Sequence, residues 1–386
     1  MSLSNIDYSV LQVLPHLDSG GLVNGAVEIS RTLSNNNLGS YITTSGGRRL
    51  HEVTRFGTEV IIAPVHSKNP VTIYRNISKI KKIIKNNNID IIHARSRSPA
   101  WSSQYAAKKM KIPFITTFHG TYGIENMIKK KYNSAMINAD KIIAISNFIA
   151  KHINREYKVN KEKIVVIPRG VDLSIFDSAR VGEQRLIDIS HKFDLKEENY
   201  TILLPARMTR WKGHNLLIEA VKKLKRNDII CLFVGDVQTK KQYVKELESK
   251  IKKMGLTNNF RFLGAQHDMP AIFKLADVVI SASTKPEAFG RVVAESLAMG
   301  RPTISVNHGG GAEIIRDKMT GWLFKSGNVN DLCKKISMAL DLNKDQRLIL
   351  SEKCIQNIRE NYDIKFMCDR TLKLYSELVK ESKNYL

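Results

Sequence analysis

The sequence predicts an α/β protein made of two doubly wound parallel-sheet domains, and three observations carry that prediction. The 386 residues exceed the size at which a single hydrophobic core stops growing, so two domains are expected. Short β-branched runs alternate with amphipathic helical stretches along the chain. The runs are apolar through their length, as strands covered on both faces by crossover helices should be.

In the first half the runs are YSVLQVL, TEVIIAP, DIIHA, IPFITTF, KIIAIS and KIVVIP; in the second they are YTILLPA, IICLFVGD, FRFLGA, ADVVISAS and RPTISV. Each half therefore reads as one Rossmann-like domain. Between the two series lies VDLSIFDSARVGEQRLIDISHKFDLKEEN, polar and acidic and without a strand pattern. The boundary is placed there, giving domains over 1–180 and 181–365 with a cleft between them. The end of the chain, with Phe366, Leu372, Tyr375 and Leu378 at helical spacing, reads as a final helix over 366–386.

Hydrophobic residues at 42% and charged residues at 25% match ordinary soluble proteins, which excludes a disordered or fibrous chain. No apolar run approaches the roughly 18 residues of a membrane span, and the opening MSLSNIDYSVLQVLPHL lacks the basic and apolar regions of a signal peptide, so a cytoplasmic location is expected. The four cysteines, Cys231, Cys333, Cys354 and Cys368, are far apart with no C-x-x-C pair, pointing to reduced, inert thiols. The net charge of +24 is uneven: residues 1–170 carry +15 and the longer remainder +9. Such a balance implies an anionic partner, which charge alone leaves as nucleic acid, a membrane surface or a phosphate-bearing substrate.

Four motifs carry chemistry. In TKPEAFGRVVAES, residues 284–296, a strand has just ended near Ser283, and a helix is expected to begin at Gly290 and stop before Gly300. Glu287 then falls in the loop at the strand's carboxyl end, and Glu295 in the second helical turn. Between them the amides of Phe289, Gly290 and Arg291 suit a phosphate, and a carboxylate on each side can accept hydrogen bonds from the hydroxyls of two sugars flanking a diphosphate. A plainer reading also stands here: Glu287 favours a helix start and Glu295 is a solvated helix residue.

In LLPARMTRWKGHNLLIEAVKKL, Arg207 and Lys212 follow a strand and precede a helix, where two cations can neutralise a diphosphate or Lys212 can simply be a surface residue. In LPHLDSGGLVNGAVEIS, Gly20, Gly21 and Gly25 separate the first strand from the first helix, at spacings that do not fit the Gly-x-Gly-x-x-Gly fingerprint, so nicotinamide dinucleotide binding is not supported. In FITTFHGTY, His119 ends a strand, as a structural residue or a catalytic one.

Together these pieces resemble the retaining glycosyltransferases of family 4, the group 1 glycosyltransferases, with their two-Rossmann GT-B architecture. ARMTRWKGHNLLIEA is similar to the family's Arg-x4-Lys-Gly element, PEAFGRVVAES to its Glu-x7-Glu element, and RPTISVNHGGGAEII with TGWLF to the stretches that follow. VVIPRGVDLSIF looks like the interdomain signature, with Pro168, Gly170, Asp172 and Phe176, although Arg169 stands where Asn is commonest. VGDVQ departs from a Val-Gly-x-Gly turn in having Val237, which leaves the local backbone path open.

The resemblance implies that Arg207 and Lys212 hold the donor diphosphate and that Glu295 binds the ribose. It implies further that Glu287, Ala288, Phe289 and Gly290 contact the donor sugar and phosphate, that Gly21 lines the phosphate side, and that His119 faces donor sugar and acceptor. It implies a last helix packed back on the first domain, a nucleotide-sugar donor as co-substrate with no other cofactor, and a glycan or lipid-linked acceptor in envelope polysaccharide or lipopolysaccharide synthesis. The absence of Asp-x-Asp adds the expectation of no metal. With a lipid acceptor, the basic first half would rest on an anionic membrane surface from the cytoplasmic side. A sugar-nucleotide epimerase or a phosphorylase of the same fold is the alternative. Nucleic-acid binding is the distant one, because the lysines are scattered without aromatic interleaving.

Overall fold

The computed structural model describes residues 7–123 and 127–384, so the first six residues and the last two of the expected terminal helix lie outside the described residues. The chain forms two compact units, Met1–Arg169 together with Lys365–Leu386, and Gly170–Ile364.

The first unit is built on a seven-stranded sheet of β1 (Ser9–Val13), β2 (Gly39–Thr44), β3 (Glu59–Ile62), β4 (Ile91–Ala94), β5 (Phe114–Phe118), β6 (Lys141–Ala144) and β7 (Ile164–Val166). The order is β3-β2-β1-β4-β5-β6-β7 and every pairing is parallel. Strand order reverses between β1 and β4, where Leu11 faces Ile92 in register. In such sheets the crevice at the carboxyl ends of the reversing strands is where ligands bind. Six of the seven strands are legible in the sequence. β2 is not, because its GSYITT is rich in hydroxyls; of these, Ser40 Oγ is buried against Thr58 Oγ1 at 2.8 Å.

The second unit repeats the plan with β8 (Tyr200–Pro205), β9 (Ile229–Val234), β10 (Phe260–Gly264), β11 (Val278–Ser281), β12 (Thr303–Val306) and β13 (Trp322–Phe324), in the order β10-β9-β8-β11-β12-β13. All of these pairings are parallel, and the reversal falls between β8 and β11. β13, also missed by the strand pattern, has only three residues and pairs β12 at the sheet edge. Val237 is absent from the residues with positive φ, so the turn after β9 tolerates a side chain there. The Asp236 carboxylate closes that turn by accepting from Gln238 N at 2.8 Å.

The expected change of domain at 180 moves to 169. The polar stretch is no bare linker: Glu183–Lys192 is a helix, and Phe176, Leu186, Ile189, Phe193 and Leu195 pack on the core of the second unit. Where the chain enters and leaves that unit, its two passages pair. Val171 N donates to Tyr362 O at 2.8 Å and Ile364 N to Val171 O at 3.0 Å. Gly170 of the quoted signature is explained by this pairing, since a Cβ there would lie 2.2 Å from Ile364 Cα.

The last helix, Ile364–Asn384, clusters with the first unit. Leu372, Tyr375 and Leu378 are buried as their spacing predicts, but Phe366 lies exposed and Met367 and Cys368 turn inward instead. Tyr8 OH donates to Leu372 O at 3.1 Å. Among the described residues no helix is long and apolar enough to cross a membrane.

Candidate functional site

In the second unit the predicted residues sit at the carboxyl ends of the two reversing strands, β8 and β11. After β8 the chain runs through Arg207 into a short 3-10 turn, Arg210–Lys212, and then the helix His214–Leu224. Gly213 joins turn to helix with φ +83, and a Cβ there would fall 2.0 Å from Ala282 O, so the two loops approach as closely as backbone allows. Thr284 N donates to Trp211 O at 2.7 Å and ties the same two loops together.

That closeness brings two of the predicted residues together. Lys212 Nζ donates to Glu287 Oε1 at 2.8 Å, with side chains only 11% and 21% exposed. Ser283 Oγ donates to the same carboxylate oxygen. The ammonium also lies 4.4 Å from the centroid of the Trp211 ring. Arg207 is exposed, and no hydrogen bond or ion pair to its guanidinium is found among the described residues, so this cation is available at the strand end.

The helix expected from Gly290 spans Arg291–Ala298, with Gly290 as its N-cap at φ +98 and no side-chain cap. The first amides there are thus left for a ligand or solvent. Behind them, Gly310 N donates to Glu287 O at 2.8 Å, and a Cβ at Gly310 would stand 2.4 Å from Ala288 O. The HGGG run of residues 308–311 thus buttresses the loop that carries Glu287, Ala288 and Phe289. Phe289 is buried, its ring 6.1 Å from that of Tyr362.

Glu295 is not with Lys212. Its carboxylate accepts from Arg291 Nη2 at 2.7 Å and Nε at 3.1 Å, one helical turn away. Burial pushes its acidity weaker than an ordinary glutamate's, and the Arg291 charge opposes that only in part. The plain reading of Glu295 as a solvated residue is thereby corrected: its side chain is 13% exposed.

Gly21 and His119 belong to the first unit. Gly21 opens the helix Gly21–Asn35, and a Cβ placed on it would meet nothing within 4 Å, so the fold itself does not demand a glycine there. His119 follows β5, with its Nδ1 2.7 Å from Arg169 Nη2. Burial holds its imidazole well below the usual range, and the Arg169, Arg95 and His93 charges add to that. Beneath it runs a buried polar chain. Arg95 Nε donates to Gln12 Oε1 at 2.6 Å, and His93 bonds Thr117 Oγ1 at 2.6 Å and Tyr375 OH at 2.5 Å.

Sequence reasoning missed Ser283, Arg169 and His308. His308 Nε2 bonds Ser326 Oγ at 3.2 Å, and burial pushes its imidazole below the ordinary range while the Glu287 charge pulls the other way. The signals were in quoted stretches: Ser283 directly precedes TKPE, Arg169 breaks a signature, and His308 heads the triple glycine.

Two family models match the chain: "Glycosyl transferases group 1" over residues 187–361 and "Glycosyltransferase Family 4" over residues 19–175. The chain is 30% identical over 307 residues to an alpha-monoglucosyldiacylglycerol synthase of Streptococcus pneumoniae, covering 75% of this chain and 68% of that one. A crystal structure of a glycosyltransferase from Rickettsia africae superposes with a TM-score of 0.91 at 37% identity, over 97% of this chain and 99% of that one. The Anabaena protein HepE, solved with UDP and glucose, superposes with a TM-score of 0.82 at 18% identity over 96% and 100% of the two chains. At that identity the likeness is one of fold.

Proposed function

The chain belongs to the group 1 glycosyl transferases, and from that premise we propose a retaining, metal-independent transfer of a sugar from a nucleoside-diphosphate sugar to a hydroxyl of a glycan or lipid-linked acceptor. The observation that carries the reading is the Lys212–Glu287 pair at the carboxyl ends of β8 and β11, with Arg207 beside it and the amides of the Arg291–Ala298 helix at hand. A site with two cations and a helix N-terminus fits a diphosphate, and a carboxylate on each side fits the hydroxyls that flank it.

In this reading Arg207 and Lys212 hold the diphosphate. Glu287, Ala288, Phe289 and Gly290 meet the donor sugar and its phosphate, Glu295 holds the ribose, Gly21 leaves room for phosphate, and His119 meets donor sugar and acceptor. The bond from the anomeric carbon to the leaving phosphate oxygen breaks while the acceptor oxygen bonds to that carbon on the same face. The acceptor's proton passes to the departing phosphate oxygen. The side chains then accelerate by placement and by stabilising the leaving charge, with Arg207 and Lys212 supplying what a metal supplies elsewhere.

A lipid-linked acceptor of the cell envelope, lipopolysaccharide included, is supported by charge and by shape. The helix Met127–Asn133 exposes Met127 (86%) and Ile128 (82%) directly before Lys129, Lys130 and Lys131. The helix Pro70–Asn86 shows Val71, Tyr74, Arg75, Lys79, Lys82 and Lys85 outward. Apolar side chains beside lysines are what an anionic membrane surface holds, which supports a working position at the inner face of the cytoplasmic membrane. The S. pneumoniae relative carries diacylglycerol in its name.

The testing experiment is a thermal-shift panel of UDP, GDP, ADP and CMP with their sugar conjugates, followed by transfer to an added acceptor. A ligand at about 100 times its dissociation constant stabilises by roughly 2.7 kcal/mol, so the cognate nucleotide stands out. Interconversion of the donor without an acceptor, or no response to any nucleotide, overturns the reading.

A further inference from the structure

His119 Nδ1 lies 2.7 Å from Arg169 Nη2. A guanidinium carries donors only and keeps its charge at any pH a protein survives, so in this bond Arg169 donates and Nδ1 accepts. An imidazole whose Nδ1 accepts is neutral and carries its proton on Nε2. That Nε2 is buried and has no hydrogen-bond partner among the described residues. We propose that Arg169 is a positioning residue that locks His119 as the Nε2–H tautomer, so that the ring offers a ligand oxygen a donor and cannot serve as a base.

Two further observations support the lock. Gly25, on the helix Gly21–Asn35, makes room for the guanidinium: a Cβ there would stand 2.2 Å from Arg169 Nη1. Among the described residues the groups that act on the His119 ring are Arg169, Arg95 and His93, with no carboxylate among them, and burial acts in the same direction, away from the imidazolium. Tyr122, whose hydroxyl bonds the His119 backbone, leaves the ring nitrogens untouched. An amide side chain at position 169 would offer a donor and an acceptor on one group and would leave the tautomer open. Arginine removes that choice.

The tautomer stands on geometry alone; its use in transfer rests on the proposed function. The test is long-range proton–nitrogen NMR of histidine-labelled protein between about pH 5 and pH 8, with His119 identified by the signal lost in His119→Gln. Wild type should show the neutral Nε2–H pattern throughout. Arg169→Met should show mixed tautomers with imidazolium at the acid end, while Arg169→Lys, which keeps a donor and brings no acceptor, should restore the wild-type pattern. Gly25→Ala, which displaces the guanidinium without replacing it, should behave as Arg169→Met and covers the case in which that variant does not fold. In transfer assays Arg169→Met should lose kcat by a factor on the order of 10 and gain an acid limb in its pH profile, with Arg169→Lys recovering both. An Nδ1–H tautomer in wild type, or an unchanged tautomer in both Arg169→Met and Gly25→Ala, overturns the proposal. A tautomer that shifts as expected in a protein that transfers no sugar upholds the lock and sinks the proposed function instead.

Discussion

Lys212 Nζ and Glu287 Oε1 stand 2.8 Å apart, one on the loop after β8 and the other on the loop after β11. Each largely satisfies the other, so an incoming diphosphate draws on an ammonium that is already oriented. Lys212→Ala should therefore weaken nucleoside-diphosphate binding by roughly 10- to 150-fold, the worth of one charge-assisted hydrogen bond. Turnover should fall further, because the leaving charge is greatest in the transition state. Wild type should stay active in EDTA. Lost activity that magnesium or manganese restores would refute the metal-free reading.

The two glutamates should separate by calorimetry. Glu295→Ala is expected to weaken binding of the free nucleotide, whereas Glu287→Ala should spare it and abolish transfer. Equal loss of nucleotide affinity in both variants would reverse the assignment.

Glu295 also predicts a pH dependence of stability. Burial raises its carboxyl above the ordinary value of 4.5, so the folded state holds that proton more tightly than the unfolded chain does. Its contribution to stability is present below the unfolded value and is lost as pH rises toward and through the folded one. Glu295→Gln cannot lose it. Melting temperature measured from about pH 4 to pH 7 should thus shift upward in the variant relative to wild type as pH rises; a constant difference would show that the carboxyl is not perturbed.

Gly213→Ala should damage the same loops through the backbone. With φ at +83 and Ala282 O standing 2.0 Å from the added Cβ, the cost should be on the order of 2 kcal/mol or more, read as a melting temperature several degrees lower with weaker nucleotide binding. An unchanged melt would mean that the two loops part easily.

Cosedimentation with vesicles tests the basic surface of the first unit. Wild type should bind anionic and not neutral vesicles at low salt, with each lysine near the surface contributing on the order of 1 kcal/mol. The triple change of Lys129, Lys130 and Lys131 to Gln should weaken that, and Met127→Ser with Ile128→Ser should weaken it further. Binding indifferent to lipid charge, salt and both sets of changes would leave these residues as solubilising surface.

The sequence made the doubly wound plan legible because buried parallel strands announce themselves as unbroken apolar runs. β2 escaped because its hydroxyl-bearing residues interrupt the apolar run although most of them are buried, and β13 because three residues carry no pattern. Lys212, Glu287 and Glu295 were legible because their chemistry follows from standing just past a strand or just inside a helix. What their partners would be was not. The Lys212–Glu287 and Arg169–His119 contacts depend on how closely separate loops approach, which no local spacing encodes, whereas the Ser283–Glu287 and Arg291–Glu295 bonds are local and their burial was the hidden part.

The return of the helix Ile364–Asn384 to the first unit has a consequence for the order in which the protein is made. The unit that leaves the ribosome first is the one completed last, because Leu372 and Tyr375 fill its core and Tyr375 reaches His93 from 282 residues downstream. Until translation has passed Leu378, the first sheet exists with an open flank, while the second unit, continuous from Gly170 to Ile364, already has its whole sequence. A stop placed after Ile364 and before Leu372 would therefore spare the second unit and cripple the one made before it.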